Sequence, residues 1–346
     1  MTGVILLNMG GPDSLQSVKP FLKNLFSDRD IIKLGPPFMQ KPLASLIINM
    51  KLGKSLAAYR LIGGKSPLHD ITLHQAKALE DALNMLKAGG QDEQFKVYVA
   101  MRYWHPLTEE AVKQITLDGI KKIVAVSLYP QYSRATSGSS IKKLAETLSG
   151  ISGQNIEIPK TYNKSFTSGY SPFIIHFVAS WYDHPIYIDA VVEKIKKGFE
   201  FFRKELKINS PESEVSVLFS AHSLPQKFID EGDPYAHETM GTINEILKRI
   251  NIDWHLSYQS KAGPVKWLDP STEEMLGTLA KKGVRNLLVV PISFVSDHIE
   301  TLYEIDMLYK DMAQKLGINL RRTESLNTSP KFIEALRDIV KAAARN

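Results

Sequence analysis

The segment Pro291-Ile-Ser-Phe-Val-Ser-Asp-His-Ile-Glu-Thr-Leu-Tyr-Glu-Ile-Asp306 gathers carboxylates and a histidine at the start of a helical pattern. On an α-helix Asp297, Glu300 and Glu304 stand at i, i+3 and i+7, so three carboxylates share one face over about two turns. Like charges that close repel unless a cation joins them, and cation binding is therefore the chemistry this face suggests. His298 sits among the carboxylates, and Ile299, Leu302 and Ile305 leave little room for a purely solvated acidic turn held by the helix dipole. A second histidine, His222, lies in Phe219-Ser-Ala-His-Ser-Leu-Pro225, at the end of an apolar run. Histidine titrates near neutrality, so an imidazole at a strand exit is suited to moving a proton.

An internal repeat shows which elements position these groups. Pro106-Leu-Thr-Glu-Glu110 followed by Gly119-Ile-Lys-Lys-Ile-Val-Ala-Val126 returns as Pro270-Ser-Thr-Glu-Glu274 followed by Gly283-Val-Arg-Asn-Leu-Leu-Val-Val290, at an offset of 164. Each copy reads as a capped helix that ends at a glycine and feeds a β-branched strand, the αβ step of a parallel sheet. One pair at this spacing indicates a duplicated domain, not a solenoid. Strands are expected at 4–7, 95–101, 122–127, 215–218, 254–258, 286–294 and 318–321, and helices near 72–88, 139–149, 172–205, 234–250 and 329–344. The fold class is thus α/β: two similar Rossmann-like, doubly wound halves facing across a cleft. Residues 1–165 form the first half, 166–320 the second, and 321–346 a C-terminal helix returning to the first. This topology places His222 and Glu300 in neighbouring loops of one half.

The remaining strand exits supply other groups. Asn8-Met-Gly-Gly-Pro-Asp13 lacks Gly-x-Gly-x-x-Gly, and Pro12 removes an amide that a phosphate would need, so its small residues are read as letting something broad approach the backbone. Arg102-Tyr-Trp-His105 and Tyr129-Pro-Gln-Tyr-Ser-Arg134 offer aromatics for a flat ligand and cations for its carboxylates. In 36–52, Leu43, Leu46, Ile47, Met50 and Lys54 fall at helical spacing, edged by Lys41 and Lys51. Far short of the roughly 20 apolar residues a membrane span requires, this stripe either packs on its domain or forms a lip for an apolar ligand or shallow membrane contact.

Composition narrows the class. The 346 residues are 43% hydrophobic and 23% charged, enough for two domains of ordinary size. There is no cysteine, which excludes disulfides, zinc-thiolate sites and cysteine-ligated clusters, so any metal must be held by His, Asp and Glu. The net charge of +6 comes from scattered lysines without arginine clusters, which argues against nucleic acid and for an anionic ligand or membrane surface. The opening Met-Thr-Gly-Val-Ile-Leu-Leu-Asn8 reads as a first strand rather than a signal peptide, and the expected location is the cytoplasm.

The chain resembles the ferrochelatase family over almost its whole length. The resemblance is carried by Leu7-Asn-Met-Gly-Gly-Pro12, Tyr59-Arg-Leu-Ile-Gly-Gly-Lys-Ser-Pro67, Arg102-Tyr-Trp-His-Pro-Leu-Thr-Glu-Glu110, Tyr129-Pro-Gln-Tyr-Ser133, Phe219-Ser-Ala-His-Ser-Leu-Pro225, Gln259-Ser-Lys-Ala-Gly-Pro264 and the acidic helix. It implies two Rossmann-like halves and insertion of Fe²⁺ into protoporphyrin IX, the last step of protohaem synthesis. It further implies His222 and Glu300 as the catalytic pair, with His298, Asp297 and Glu304 joining them on the metal path. Met9, Arg102, Tyr129 and Trp267 match family positions around the macrocycle, and residues 36–54, with Leu46 and Ile47, match the lip of the porphyrin mouth. Arg134 stands where some members have a cysteine, and the chain ends at Asn346 without their cysteine-bearing tail, so the resemblance is to the cluster-free bacterial type with no 2Fe–2S centre.

On this reading no cofactor is tightly bound, Fe²⁺ and protoporphyrin IX are substrates, and the protein is a monomer or homodimer, peripheral at the inner face of the membrane if the lip engages it. Metallation removes two pyrrole protons and strips ligands from Fe²⁺, which calls for a base and a weak N/O metal site. A buckled macrocycle should bind better than a flat one. Coproporphyrin III is the alternative substrate. Another tetrapyrrole chelatase, whose metal site is usually richer in histidine, and a bilobal binding protein, which predicts a secretion signal, fit less well.

Overall fold

The computed structural model describes residues 1–85, 93–154, 156–159, 163–170, 172–207, 209–261 and 265–345. The chain divides into two compact units, Met1–Trp181 with Phe332–Asn346, and Tyr182–Lys331. Each is a mixed α/β domain on a mainly parallel sheet.

In the first unit the strands are β1 (Thr2–Asn8), β2 (Phe95–Met101), β3 (Lys122–Ser127), β4 (Ser165–Tyr170) and β5 (Phe173–Val178), in spatial order β2-β1-β3-β5-β4. All pair in parallel except β4, which adds an antiparallel edge. In the second unit β6 (Ser216–His222), β7 (Trp254–Gln259), β8 (Asn286–Pro291) and β9 (Asn319–Arg322) run parallel in the order β7-β6-β8-β9. Both sheets therefore start at a central strand, step to one side and then cross to the other. The crossing leaves a crevice between the first and third strands, where open α/β sheets bind their ligands.

The duplicated helices form where the repeat places them, at Thr108–Leu117 and Thr272–Lys281. Ser271 Oγ accepts from Glu274 N at 3.2 Å while Glu274 Oε2 accepts from Ser271 N at 2.8 Å, a complete capping box. In the first copy Glu110 Oε2 accepts from Leu107 N. Both helices end at a glycine in the left-handed region, Gly119 at φ 67° and Gly283 at φ 83°. There Ile120 N and Val284 N reach back to Ile115 O and Leu279 O at 3.1 Å, closing the last turn.

The central strand of each sheet is buried on both faces, and on one face a core of helix side chains covers it. Ala111, Val112, Ile115, Ile141, Leu144 and Leu148 pack with Ile5 and Leu7 in the first unit. In the second, Leu276, Leu279, Ile305 and Tyr309 cover Leu218, Leu287, Val289 and Leu320. Each such aliphatic side chain contributes about 1.5–3 kcal/mol by leaving water. Ile305 and Tyr309 belong to the acidic segment itself, so its back is anchored in this core.

Two expectations are corrected. The helix anticipated over 172–205 is β5 followed by a helix at Pro185–Glu205. Phe173 and Ile175 are buried on either side of exposed Ile174, a two-residue period, and Pro185 at the first helical position bars the turn before it. The unit boundary accordingly lies at Trp181 rather than at 165, because β5 pairs with β3. The helix Pro330–Ala344 groups from Phe332 onward with the first unit, where Phe332 meets Trp181 and Ala344 O accepts from Lys122 Nζ at 2.6 Å. The helix anticipated at 72–88 spans Leu68–Asn84. Residues 86–88, and 262–264 of the Gln259–Pro264 motif, lie outside the described residues.

Candidate active site

The acidic segment begins after β8 and His222 closes β6, so both lie at the crossing point of the second sheet. From Glu300 to Tyr309 the chain is a π-helix, not the α-helix anticipated. Its i→i+5 bonds widen each turn, so residues four and five apart line up instead of those three apart. Glu304 accordingly feels the charge of Glu300. Asp297 precedes the helix and is held elsewhere, by Arg322, Asn327, Ser325 and Thr301. The anticipated line of three carboxylates is thus a pair, with the third bound to a guanidinium.

Around that pair stand both histidines. His298 is buried, with Nε2 3.3 Å from Glu300 Oε2. The Phe294 ring meets His298 edge to face at 4.0 Å between centroids and meets His222 at 5.8 Å. Tyr235 and Ser293 fix the strand exit: Ser293 Oγ accepts from His222 N at 3.1 Å, and Tyr235 OH donates to His222 O at 2.8 Å. The backbone of His222 is pinned while its Nδ1 is buried with no hydrogen-bond partner. A buried polar nitrogen left unpaired is costly and rare outside functional sites.

Electrostatics sort the four groups. Burial lowers the His222 pKa below the usual imidazole value, against the pull of Glu300 and with the push of His298. Burial does the same at His298, opposed by Glu300 and Asp297. Both imidazoles are therefore neutral and able to accept a proton or hold a metal at neutral pH. Glu304 is raised to about 7, first by burial and then by Glu300, although Ser260 and Gln259 stabilise its charge. Asp297 goes the other way: burial pushes its carboxyl up, but Arg322 and three side-chain donors hold it below the ordinary range. Among the described residues no three His, Asp or Glu side chains already converge as a ligand cage.

Glu304 is presented by an unusual backbone. Gln259 accepts from Ser220 Oγ at 2.6 Å and donates to both Glu300 O at 3.1 Å and Glu304 Oε2 at 3.2 Å. Ser260, at φ 69°, donates to the same Oε2 at 2.5 Å. Trp267 comes to this end of the unit because Leu268 N bonds Leu224 O and Gln226 N bonds Lys266 O, lacing its loop to the one after His222.

In the first unit Arg102 is already engaged. Nη2 lies 2.7 Å from Asp28 Oδ2, and Nε donates to Ser139 Oγ at 2.9 Å. Tyr103 OH and Ser139 Oγ also donate to that carboxylate oxygen. As an anchor for a ligand carboxylate Arg102 would have to give up the pair. Met9 lies alongside, its carbonyl accepting from Tyr103 N at 2.9 Å, and half-buried Tyr129 follows β3. Gly10 and Gly11 leave room for protein, not for a broad ligand: a Cβ would lie 3.2 Å from Trp104 N at Gly10 and 2.5 Å from Ser66 Oγ at Gly11. On the helix Gln40–Leu61 the buried face is Ala44, Ile48, Ala58 and Tyr59. Leu46 (58% exposed) and Met50 (78%) point outward with Phe38 (79%), and Ile47 is half-buried. No helix among the described residues is long and apolar enough to cross a membrane.

Sequence reasoning missed Tyr235, Phe294, Ser260, Arg322 and Asn327 as contributors. Arg322 carried one signal, being a second arginine beside Arg321 at the end of an anticipated strand. The left-handed conformations of Ser260 and Asn327 had none beyond the tolerance of asparagine for that region.

Comparison with known proteins agrees with this architecture. Residues 1–344 match the family model described as Ferrochelatase. The chain is 50% identical over 341 residues to a ferrochelatase of Geotalea uraniireducens, covering 98% of this chain and 97% of that one. It is 49% identical to a ferrochelatase of Geobacter metallireducens over 99% of this chain and 98% of that one. A ferrochelatase of Aquifex aeolicus is 45% identical, covering 98% of each. Among solved structures, SirB from Bacillus subtilis with Fe³⁺ shares the fold at TM-score 0.52 and 12% identity, over 100% of this chain and 96% of that one.

Proposed function

The chain belongs to the ferrochelatase family of enzymes, and from that premise we propose that it inserts Fe²⁺ into protoporphyrin IX, giving protohaem and releasing two protons. The observation that carries this reading is the unpaired Nδ1 of a neutral His222 beside Glu300 and His298. A pyrrole N–H needs an acceptor that is not already protonated, and desolvation keeps His222 in that form. The two pyrrole protons pass in turn to His222, and Glu304, titrating near neutrality, is suited to carry the first onward so that His222 is free for the second. Glu300 and His298 offer oxygen and nitrogen to Fe²⁺ without thiolate tightness, so the metal can leave for four porphyrin nitrogens. Asp297, tied to Arg322, serves this path as a fixed charge near His298 rather than by direct contact.

Met9, Arg102, Tyr129, Trp267 and the lip residues Leu46 and Ile47 are the proposed porphyrin contacts. Exposed Phe38, Leu46 and Met50, with Lys41, Lys51 and Lys54 on the same stretch, suit a protein that works in the cytoplasm and touches the inner face of the membrane peripherally.

The test is an anaerobic assay of purified protein with Fe²⁺ and either protoporphyrin IX or coproporphyrin III, with His222→Ala in parallel. Faster haem formation from protoporphyrin, lost in the variant, is expected. A preference for coproporphyrin III would keep the mechanism and change the substrate, and full activity in His222→Ala would sink the assignment.

A further inference from the structure

We infer that Arg322 and Asn327, on the segment that ends β9 and follows it, are positioning residues that hold Asp297 just before the metal-handling helix and Asp306 within it, and thereby set where His298, Glu300 and Glu304 stand. The inference rests on the function proposed above and assigns parts to residues outside the reacting set.

Arg322 reaches two aspartates on opposite sides of the acidic groups. Nη1 lies 3.0 Å from Asp297 Oδ1, just before the helix. Nε and Nη2 make a parallel pair of bonds, 2.9 and 2.7 Å, to Asp306 inside it. The side chain is 9% exposed, and its Nη1 also donates to Thr323 O and Ser325 Oγ at 3.1 Å, which fixes the fork against its own strand. A planar guanidinium suits such a bridge because its donors point in set directions.

Asn327 completes the hold on Asp297. Its Oδ1 accepts from Asp297 N at 3.0 Å, its Nδ2 donates to Asp297 Oδ2 at 2.9 Å, and its main-chain N bonds Val295 O at 2.8 Å. Ser325 adds a 2.7 Å bond to Asp297 Oδ1. Both carboxylate oxygens are thus taken by protein donors, and Asp297 works as an anchor. Asn327 does this at φ 43°, and Ser260, which holds Glu304, does so at φ 69°. They are two of the three non-glycine residues with positive φ among the described residues, and both hydrogen-bond an acidic side chain of this segment. Asparagine tolerates this region, whereas a serine there is held by its surroundings.

The need for a clamp follows from the helix type. A π-helix is rare and held by context, and a return to α geometry would keep Glu300 and Glu304 on one face but turn that face relative to Asp297 and Asp306. Fixing residues 297 and 306 together leaves no slack for that change.

The test varies Fe²⁺ and protoporphyrin IX independently with full-length wild type, Arg322→Ala, Arg322→Lys, Asp306→Asn and Asn327→Gly. Glycine keeps the left-handed backbone unstrained and removes only the side-chain bonds, so Asn327→Gly decides even where an Arg322 variant fails to fold. On the order of tenfold loss in kcat and a higher KM for Fe²⁺ are expected in Asn327→Gly, with the porphyrin KM within about twofold of wild type. Arg322→Ala should lose more, and Arg322→Lys should recover part, since an ammonium can hold one aspartate but not fork to both. Unchanged kcat and Fe²⁺ KM in Asn327→Gly, or equal changes in the two KM values, would overturn the clamp. Co²⁺ titrations followed by absorption read it without turnover: weaker Co²⁺ binding in Asn327→Gly supports it even if wild type metallates neither porphyrin, which would end the proposed function instead. Equal Co²⁺ affinity in wild type and Asn327→Gly, or no Co²⁺ binding by wild type, overturns it.

Discussion

Ser260 Oγ donates a 2.5 Å hydrogen bond to Glu304 Oε2 from a backbone held at φ 69°, so a strained residue presents a carboxyl whose pKa is lifted to about 7. The bond stabilises the charged form, while burial and Glu300 favour the neutral one and prevail.

This balance gives Glu304 a signature in stability. Its folded pKa lies above its unfolded value, so between about pH 4.5 and 7 the folded chain keeps a proton that the unfolded chain has lost, and stability falls as pH rises through that window. From pH 5 to 8, wild type should lose up to about 3 kcal/mol relative to Glu304→Gln. Urea midpoints of both proteins at the two pH values measure it. Parallel trends would mean that Glu304 is not the titrating group.

The histidines act at the acid end. His222 and His298 are both lowered, chiefly by burial, so below pH 6.5 the unfolded chain takes up protons before the folded chain does. Their contribution to stability is therefore lost as pH falls below 6.5. If His222 is the base, the acid limb of kcat/KM should also lie below 6.5, and a limb above that value would argue for another group. His222→Ala should lower kcat about 10²–10⁴-fold.

Two glycines should respond in opposite directions to alanine. Gly10 sits at φ 82° with Trp104 N 3.2 Å from any Cβ, so Gly10→Ala should destabilise by about 1–3 kcal/mol. Gly53 lies inside the helix Gln40–Leu61 with nothing within 4 Å of its Cβ position. Gly53→Ala should stabilise by about 0.5–1 kcal/mol. Thermal denaturation of the pair reads both, and equal shifts would refute the backbone argument.

The lip separates stability from surface attachment. Because Leu46 is 58% exposed, Leu46→Ser should change stability by less than about 0.5 kcal/mol. Co-flotation with anionic vesicles should fall in Leu46→Ser and further in the double variant with Ile47→Ser. Flotation equal to wild type in both would remove the membrane role.

The strands and the duplicated αβ step were legible in the chain because their signals are local, and the grouping of His222 with Glu300 followed from the topology that the repeat implies. β-branched runs, Pro-x-Thr-Glu-Glu caps and terminal glycines each act within a few residues, and short-range rules are written in short stretches. The strand β5 was not legible, because Phe173–Val178 is apolar enough for either element and its pairing with β3 decides. Nor was the division of labour among the acidic groups. Asp297, Glu300 and Glu304 look equivalent along the chain, and what separates them is a π-helical register, a guanidinium from β9 and a hydroxyl from the loop after β7. Carboxylate behaviour depends on desolvation and on charges and donors within a few ångströms. Those neighbours arrive from distant parts of the chain, so the sequence specified which groups would meet, while packing decided which is held by a guanidinium and which has its pKa raised.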